Sequence, residues 1–444
     1  MAPSTPMPTR KPIIALDARQ CVGNYRGMGR FARNLMAALD RPFLALLARG
    51  QSAEGLCARA VCRGTRLFPA WEQFVLPRLC RELGVDVLVC PYNTAPLRLP
   101  DRVKLVLVVH DLIFMEPFGR LAPARSVYQN VGRVYRRLVV PRVVHRADVL
   151  VTCSQYTKQL LLARFGLRGD SIVVMPSAST DVLGDCPNFR AAGDCPNFRA
   201  AGECPNFRAA KMGLSPSSHS HDPPHPTPYV LFPGGDAPSK NARRAVLAFA
   251  ELCRREPGLP HKLVVLGIPA RSHARFARLA GRAGVGERVE LMPFVPAARL
   301  ASLFRRADAV FFPSLYEGFG IPALEAMVAG TPLVCSARTS LPEIAGRAAL
   351  YVDPLSVEQM ADGLARVLGD ASLRARLVRE GREQCRRFRP EVLRERAECV
   401  WRRVLTQEEG DGANLCEAGH QPKIGRGPSR QISPVPFSRA RKVA

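Results

Sequence analysis

Short runs that are apolar throughout, alternating with amphipathic stretches, constrain this chain more than any other feature. In the first half they are PIIALDA (12–18), DVLVCP (86–91), VKLVLVVHDL (103–112), ADVLVTCS (147–154) and SIVVMP (171–176), with helical patterns such as 29–39 and 156–165 between them. A strand apolar at every position has both faces covered, and strands that alternate with helices meet that condition in a parallel sheet. The second half repeats the scheme with YVLFPGG (229–235), HKLVVLG (261–267), RVELMPFV (288–295), ADAVFFPS (307–314), TPLVCS (331–336) and AALYVD (348–353). The expected fold class is therefore α/β, with two doubly wound Rossmann-like domains facing a cleft. Ligands belong at the carboxyl ends of their strands.

A length of 444 residues, 47% of them hydrophobic, suffices for two cores. The expected division is 1–176 for a first Rossmann-like domain, 177–228 for a low-complexity linker, and 229–388 for a second Rossmann-like domain. A helix is expected over 389–405, and 406–444 forms a disordered basic tail. The linker contains DCPNFRAAGDCPNFRAAGECPNFRAA, three near-identical nine-residue units. A nine-residue step turns successive cysteines to opposite faces of either a helix or a strand, so Cys186, Cys195 and Cys204 make no single-faced stripe. Nor do they have the two-to-four-residue spacing of a zinc knuckle. The repeats read as an expansion of a flexible connection, and no metal site is expected.

The formal charge is +26, carried almost entirely by arginines dispersed along the chain. No run of five like charges and no row of aromatic platforms appears, which argues against specific nucleic-acid binding, although a basic nucleic-acid-binding protein stays as an alternative. The N-terminus lacks a signal-like apolar run and no stretch reaches 18 apolar residues, so a cytoplasmic protein is expected. In that compartment the 14 cysteines read as small buried hydrophobes.

The chemistry concentrates in FFPSLYEGFGIPALEAMVAGTPLVCS (311–336). An apolar strand ends at Pro313, a loop with Gly318 and Gly320 follows, and a helix starts near Ile321 with Pro322 suited to its first turn. The glycines let the backbone come close to a ligand, and the amides and dipole at the helix start favour a phosphate. Glu317 and Glu325 are spaced to reach one ligand, and a carboxylate accepts two hydrogen bonds from a ribose diol.

This E-x7-E pattern resembles that of retaining glycosyltransferases of GT-B fold, family 4 in particular. SLPEIAGRAALYVDP (340–354), PYNTAPL (91–97), VVHDL (108–112), RGMGRFARNL (26–35) and the SKN ending GGDAPSKN (234–241) resemble the same family, in matching order. The resemblance implies a nucleotide-sugar donor bound by 229–388, an acceptor on the side of 1–176 and a 389–405 helix that crosses back to the first domain, with Glu325 on the donor ribose, Glu317 at the sugar, and Lys240 neutralising the diphosphate. Gly318, Phe319 and Gly320 would line the donor site, with His110 on the opposite wall. The amides after Gly27 and Gly29 would face the phosphates. Glu317, His110 and Lys240 are the candidate catalytic residues; no metal and no cofactor beyond the donor are implied. Many relatives carry an Arg shortly before the phosphate lysine, where this chain has Gly234 and Gly235; Lys240 then acts alone, or Arg243 or Arg244 substitutes. The expected activity is retaining transfer of a hexose, guessed as mannose from GDP-mannose, to a polysaccharide or lipid-linked oligosaccharide, with room for peripheral contact at the inner face of a membrane. A sugar-nucleotide epimerase of the same fold is the nearest alternative.

Overall fold

Two wholly parallel sheets organise the computed structural model, which describes residues 11–22, 27–39, 42–52, 56, 59–117, 127–177 and 227–405. The first has seven strands in the order β3-β2-β1-β4-β5-β6-β7. They are β1 Ile14–Asp17, β2 Leu44–Leu47, β3 Arg59–Cys62, β4 Val87–Cys90, β5 Lys104–Val109, β6 Val149–Thr152 and β7 Ile172–Val174. The second has six, β10-β9-β8-β11-β12-β13, drawn from β8 Tyr229–Phe232, β9 Lys262–Leu266, β10 Val289–Met292, β11 Ala309–Phe312, β12 Leu333–Ser336 and β13 Ala349–Val352. In each sheet the order reverses between the first and fourth strands, β1/β4 and β8/β11, and a crevice opens beyond the carboxyl ends there.

The central strands are apolar on both faces because helices cover both. β1, β4, β8, β11 and β12 are buried at every position, whereas edge strand β3 is largely exposed. One apolar cluster runs from the first lobe (Phe31, Val106, Val108) through Phe319, Leu324 and Ile344 of the second and includes Phe388 and Trp401. The Pro390–Leu405 helix lies on the first lobe: Trp401 Nε1 donates to the Leu35 carbonyl at 3.2 Å and Lys104 Nζ to the Val404 carbonyl at 2.9 Å. Burial of large side chains at about 1.5–3 kcal/mol each makes this cluster the main tie between lobes.

Of the described cysteines, Cys21, Cys80, Cys90, Cys153, Cys335 and Cys385 are buried thiols, as their reading as small buried hydrophobes has it, whereas Cys62 is exposed and Cys253 half-buried. Cys399 departs from it, being disulfide-bonded. Among the described residues no helix is long and apolar enough to cross a membrane. The repeats, the rest of the expected linker from residue 178 to 226, and the tail from 406 lie outside the described residues.

Candidate active site

The loops after β8 and β11 are fastened to one another by Asn241. Its backbone is left-handed, with φ 67°, a conformation asparagine tolerates better than most residues. The side-chain amide donates to the carbonyls of Pro313 at 3.1 Å and Pro354 at 2.7 Å, and the Leu315 amide donates to Ser239 at 2.7 Å. Lys240, immediately before, is thereby aimed at the end of β11. Its Nζ donates to both carboxylate oxygens of Glu317, at 2.7 and 2.8 Å, and sits 5.3 Å from the Phe312 ring centroid. Glu317 is 8% exposed, and its amide donates to Thr339 Oγ1 at 3.0 Å. An ammonium and a carboxylate are thus paired at the mouth of the second sheet's crevice.

Glu325 has no such partner. It projects from the Ile321–Ala329 helix, is 6% exposed, and makes no side-chain hydrogen bond among the described residues. Burial pushes its carboxyl up to about 7, with Arg30 and Lys240 pulling the other way. Gly27, first residue of the Gly27–Ala37 helix, faces Ile321, first residue of Glu325's helix: a Cβ on Gly27 would come within 2.9 Å of Ile321 Cδ1. Two helix starts, one from each lobe, therefore meet beside Lys240, Arg30 and an unpartnered carboxylate. Two positive dipole ends and two cations at one place suit an anion.

The Glu325 carboxyl has a consequence for stability. Its folded value lies above the ordinary 4.5, so the folded chain holds a proton that the unfolded chain releases. That contribution is fully present below about 4.5 and is lost as pH rises through about 7, on the order of 2–3 kcal/mol. Glu325→Gln is expected to remove it. In thermal melts without nucleotide, the variant should melt above the wild type at pH 8, and the difference should shrink or reverse at pH 5. His110 acts in the opposite sense, since burial lowers it from 6.5 to about 4, but both proteins carry it.

His110 follows β5. Its Nε2 lies 2.9 Å from the Pro91 carbonyl, which can only accept, so Nε2 carries the proton and Nδ1 presents a lone pair. The ring meets Phe31 edge-on at 4.9 Å, and its amide donates to Asn93 Oδ1 at 2.6 Å. The His110 carbonyl reaches the other lobe. A Cβ on Gly318 would lie 2.2 Å from that oxygen and 2.8 Å from Asp111 Cβ. Ser154 Oγ donates to the Gly318 carbonyl at 2.6 Å, and Thr157 Oγ1 lies 3.3 and 3.4 Å from the carbonyls of His110 and Gly318. Glu343 completes the latch, its two oxygens accepting from the amides of Gln155 at 2.8 Å and Tyr156 at 2.9 Å at the start of the Gln155–Phe165 helix. Asp111 accepts from the Ile113 amide at 3.0 Å.

The structure thus gathers Lys240, Glu317, Glu325, Gly27 and His110 about one cleft. Gly29, Phe319 and Gly320 stand behind it. Gly29 is buried inside its helix, and Phe319 packs on Phe388 with ring centroids 5.7 Å apart. Gly320, at φ 100°, is pressed against Leu341. The two loop glycines, read as making room for a ligand, have packing reasons instead: Gly318 admits the backbone of the opposite lobe and Gly320 turns the chain into the helix. A side chain at Gly234 would meet the Phe232 ring at 2.5 Å, so an arginine there would displace that ring. Arg243 is exposed and Arg244 donates to Asn241 at 3.3 Å. Arg30 of the first lobe supplies a second positive charge that acts on the Glu325 carboxyl. The sequence reading did not single out Arg30 or Glu343, though both lie in quoted motifs. Among the described residues no group of three or more His, Cys, Asp or Glu gathers as for a metal ion.

Paired doubly wound lobes, closed on each other around this cleft, define the GT-B fold. Solved structures agree. Sucrose-phosphate synthase of Thermosynechococcus elongatus aligns with a TM-score of 0.62 at 16% identity, over 89% of this chain and 99% of that one. WaaG, a glycosyltransferase involved in lipopolysaccharide biosynthesis, gives 0.61 at 19% identity, over 87% and 99%. In sequence, the Glycosyltransferase Family 4 model matches residues 25–178 and the Glycosyl transferases group 1 model residues 217–384. The chain belongs to the family 4-like glycosyltransferases. The D-inositol 3-phosphate glycosyltransferase of Nocardia farcinica is 31% identical over 254 residues, 56% of this chain and 50% of that protein. The O-antigen chain mannosyltransferase B of Escherichia coli is 34% identical over 160 residues, 36% and 42%. The chain spans about half the length of the curated relatives it matches.

Proposed function

We propose that the chain is a retaining hexosyltransferase using a nucleoside-diphosphate sugar and an acceptor glycan or lipid-linked oligosaccharide. The observation that carries this is the buried, unpartnered Glu325 carboxylate beside the meeting helix starts and the Lys240–Glu317 pair. Glu325 accepts the two ribose hydroxyls; the diphosphate takes the helix amides and Lys240; Glu317, displaced from part of its ion pair, turns to the sugar hydroxyls. As the bond from sugar C1 to the phosphate oxygen breaks, negative charge grows on the diphosphate, and Lys240 stabilises the transition state more than the ground state. The acceptor oxygen bonds to C1 from the same face and its proton passes to the departing phosphate oxygen. Glu317 already faces an ammonium, and Asp111 accepts from the Ile113 amide, so neither carboxylate is assigned as a nucleophile. His110 Nδ1, a neutral acceptor, orients a donor hydroxyl. The inter-lobe latch excludes water that would hydrolyse the donor.

Mannose is the favoured sugar, on the strength of one relative's name, and no metal is needed in this scheme. A membrane-borne acceptor fits the outer face of the Val127–Val143 helix. There Val131, Val134 and Leu138, at 57%, 48% and 59% exposure, share one side, with exposed Arg142 on the same helix. The test is incubation with GDP-, UDP- and ADP-hexoses with and without a lipid-linked glycan pool. Transfer that needs the acceptor and retains the anomeric configuration supports the reading; isomerisation of a donor without acceptor would establish the epimerase instead.

A further inference from the structure

Glu72 is a buried carboxyl that the chemistry at the cleft does not use. It is 1% exposed and stands in a wide helical turn, Trp71–Val75, where the Leu76 amide donates to the Trp71 carbonyl five residues back. The turn is anchored on two sides. Trp71 Nε1 donates to Asp17 Oδ1 at 3.2 Å, at the end of β1, and Tyr135 OH of the Val127–Val143 helix donates to Glu72 Oε1 at 2.7 Å. From this support two consecutive side chains grip the loop that follows β4. Glu72 Oε2 accepts from Thr94 Oγ1 at 2.6 Å, while Gln73 donates to the Ala95 carbonyl at 3.3 Å and accepts from the Leu97 amide at 2.9 Å. A third donor, Gln73 Nε2 at 3.1 Å, reaches Glu72, so the carboxylate is satisfied as an anion. Burial pushes its carboxyl up to about 7, Asp17 adding to the rise and Thr94, Tyr135 and Arg19 opposing it. Holding a carboxylate in the core costs desolvation that an apolar residue would not incur; what it secures is the loop.

That loop holds His110 at two points. The Pro91 carbonyl takes the Nε2 proton at 2.9 Å, and Asn93 Oδ1 takes the backbone amide at 2.6 Å. Asn93 is left-handed, with φ 68°, and its own amide donates to the Val108 carbonyl of β5 at 3.0 Å. Thr94, 1% exposed, is the next residue along. We infer that Glu72 is a positioning residue for the transfer reaction: through Thr94 it fixes the loop after β4, and through Pro91 and Asn93 that loop sets the place and the tautomer of the His110 ring. Which ring nitrogen carries the proton is decided by the partner of the other one. A slack Pro91 carbonyl would release Nε2 and let the proton move to Nδ1, which then no longer accepts from a donor hydroxyl. A displacement near 1 Å costs about 10² in rate, so a slackening of a fraction of that costs about tenfold.

The part in catalysis rests on the transferase reading; the hold on the ring does not, so the test reads the ring and the rate separately. The full-length chain is labelled with ¹⁵N-histidine, and the His110 signals are assigned by their absence from His110→Gln. Long-range ¹H–¹⁵N spectra at pH 8 should show the Nε2-protonated tautomer alone for His110 in the wild type. Thr94→Val, which keeps the volume and deletes the hydroxyl, and Glu72→Gln, which keeps the shape and the fold, should each show a mixture of tautomers; Thr94→Ser should restore the wild-type spectrum. In the transferase assay Thr94→Val and Glu72→Gln should lower kcat about tenfold with the donor KM within threefold of wild type, while Thr94→Ser keeps kcat. Wild-type ring spectra in both Thr94→Val and Glu72→Gln would overturn the inference, and so would an unchanged kcat or a loss confined to KM. Absence of turnover in the wild type would overturn the transferase reading and leave the hold on His110 to be decided by the spectra.

Discussion

Lys240→Ala is expected to lower kcat/KM by about 10² to 10³, the usual effect of losing an electrostatic stabiliser of a developing anion. Most of the loss should fall on kcat, because the charge on the leaving diphosphate is larger in the transition state than in the bound donor. The geometry sharpens the expectation. Lys240 is the cation that the loop after β8 presents, and its removal leaves Glu317, 8% exposed, as a carboxylate facing an incoming diphosphate. Like charges would then meet. Lys240→Ala with Glu317→Gln should therefore recover part of the donor affinity lost in Lys240→Ala while kcat stays low. Steady-state kinetics with the donor identified by the panel checks both; a single variant within threefold of wild type would remove Lys240 from the chemistry.

Gly318→Ala should be nearly as damaging although it deletes nothing. The added methyl would sit 2.2 Å from the His110 carbonyl oxygen, a backbone atom of the opposite lobe that no rotamer change can move. Either the lobes part or the loop carrying Glu317 shifts. Both outcomes break the hydrogen bonds from Ser154 and Thr157 and move Glu317 relative to His110. A displacement near 1 Å costs about 10² in rate when reacting groups are held by position, so a fall in kcat of that size or more is expected. Gly281→Ala is the control, since a Cβ there meets nothing within 4 Å and the position is helical. Scattering should report a larger radius of gyration for Gly318→Ala only. Normal kcat in Gly318→Ala would show that this inter-lobe contact is not needed for turnover.

The strands of the second lobe were legible because each is apolar at nearly every position and is bounded by Gly, Pro or Asp. β2 and β3 were not. Leu44–Leu47 is built from leucine and alanine, strong helix formers, and follows a helix closely, so only tertiary pairing with β1 reveals it as a strand. Arg59–Cys62 lies on the exposed edge and lacks an apolar pattern. At the site, the pattern of carboxylates and glycines placed the chemistry at the end of β11, and the fold brings Lys240 there from 77 residues away. The sequence could not show why Gly318 is glycine, because its neighbour is a carbonyl of the other lobe. Glu343 was hidden for a similar reason: its partners are backbone amides 188 and 187 residues distant, which have no side-chain signature. Arg30 was one arginine among many, and its role as a second cation near Glu325 depends on how the lobes close.

The central claim is that a nucleoside diphosphate is held between the lobes by Lys240, Glu325 and the facing helix starts. Calorimetric titration with GDP, UDP and ADP at pH 8, in buffer containing EDTA, tests it directly. The expected result is micromolar binding of at least one of them, weakened tenfold or more by Glu325→Gln and by Lys240→Ala alike. Binding of none of the three, or binding that both variants leave unchanged, would contradict it.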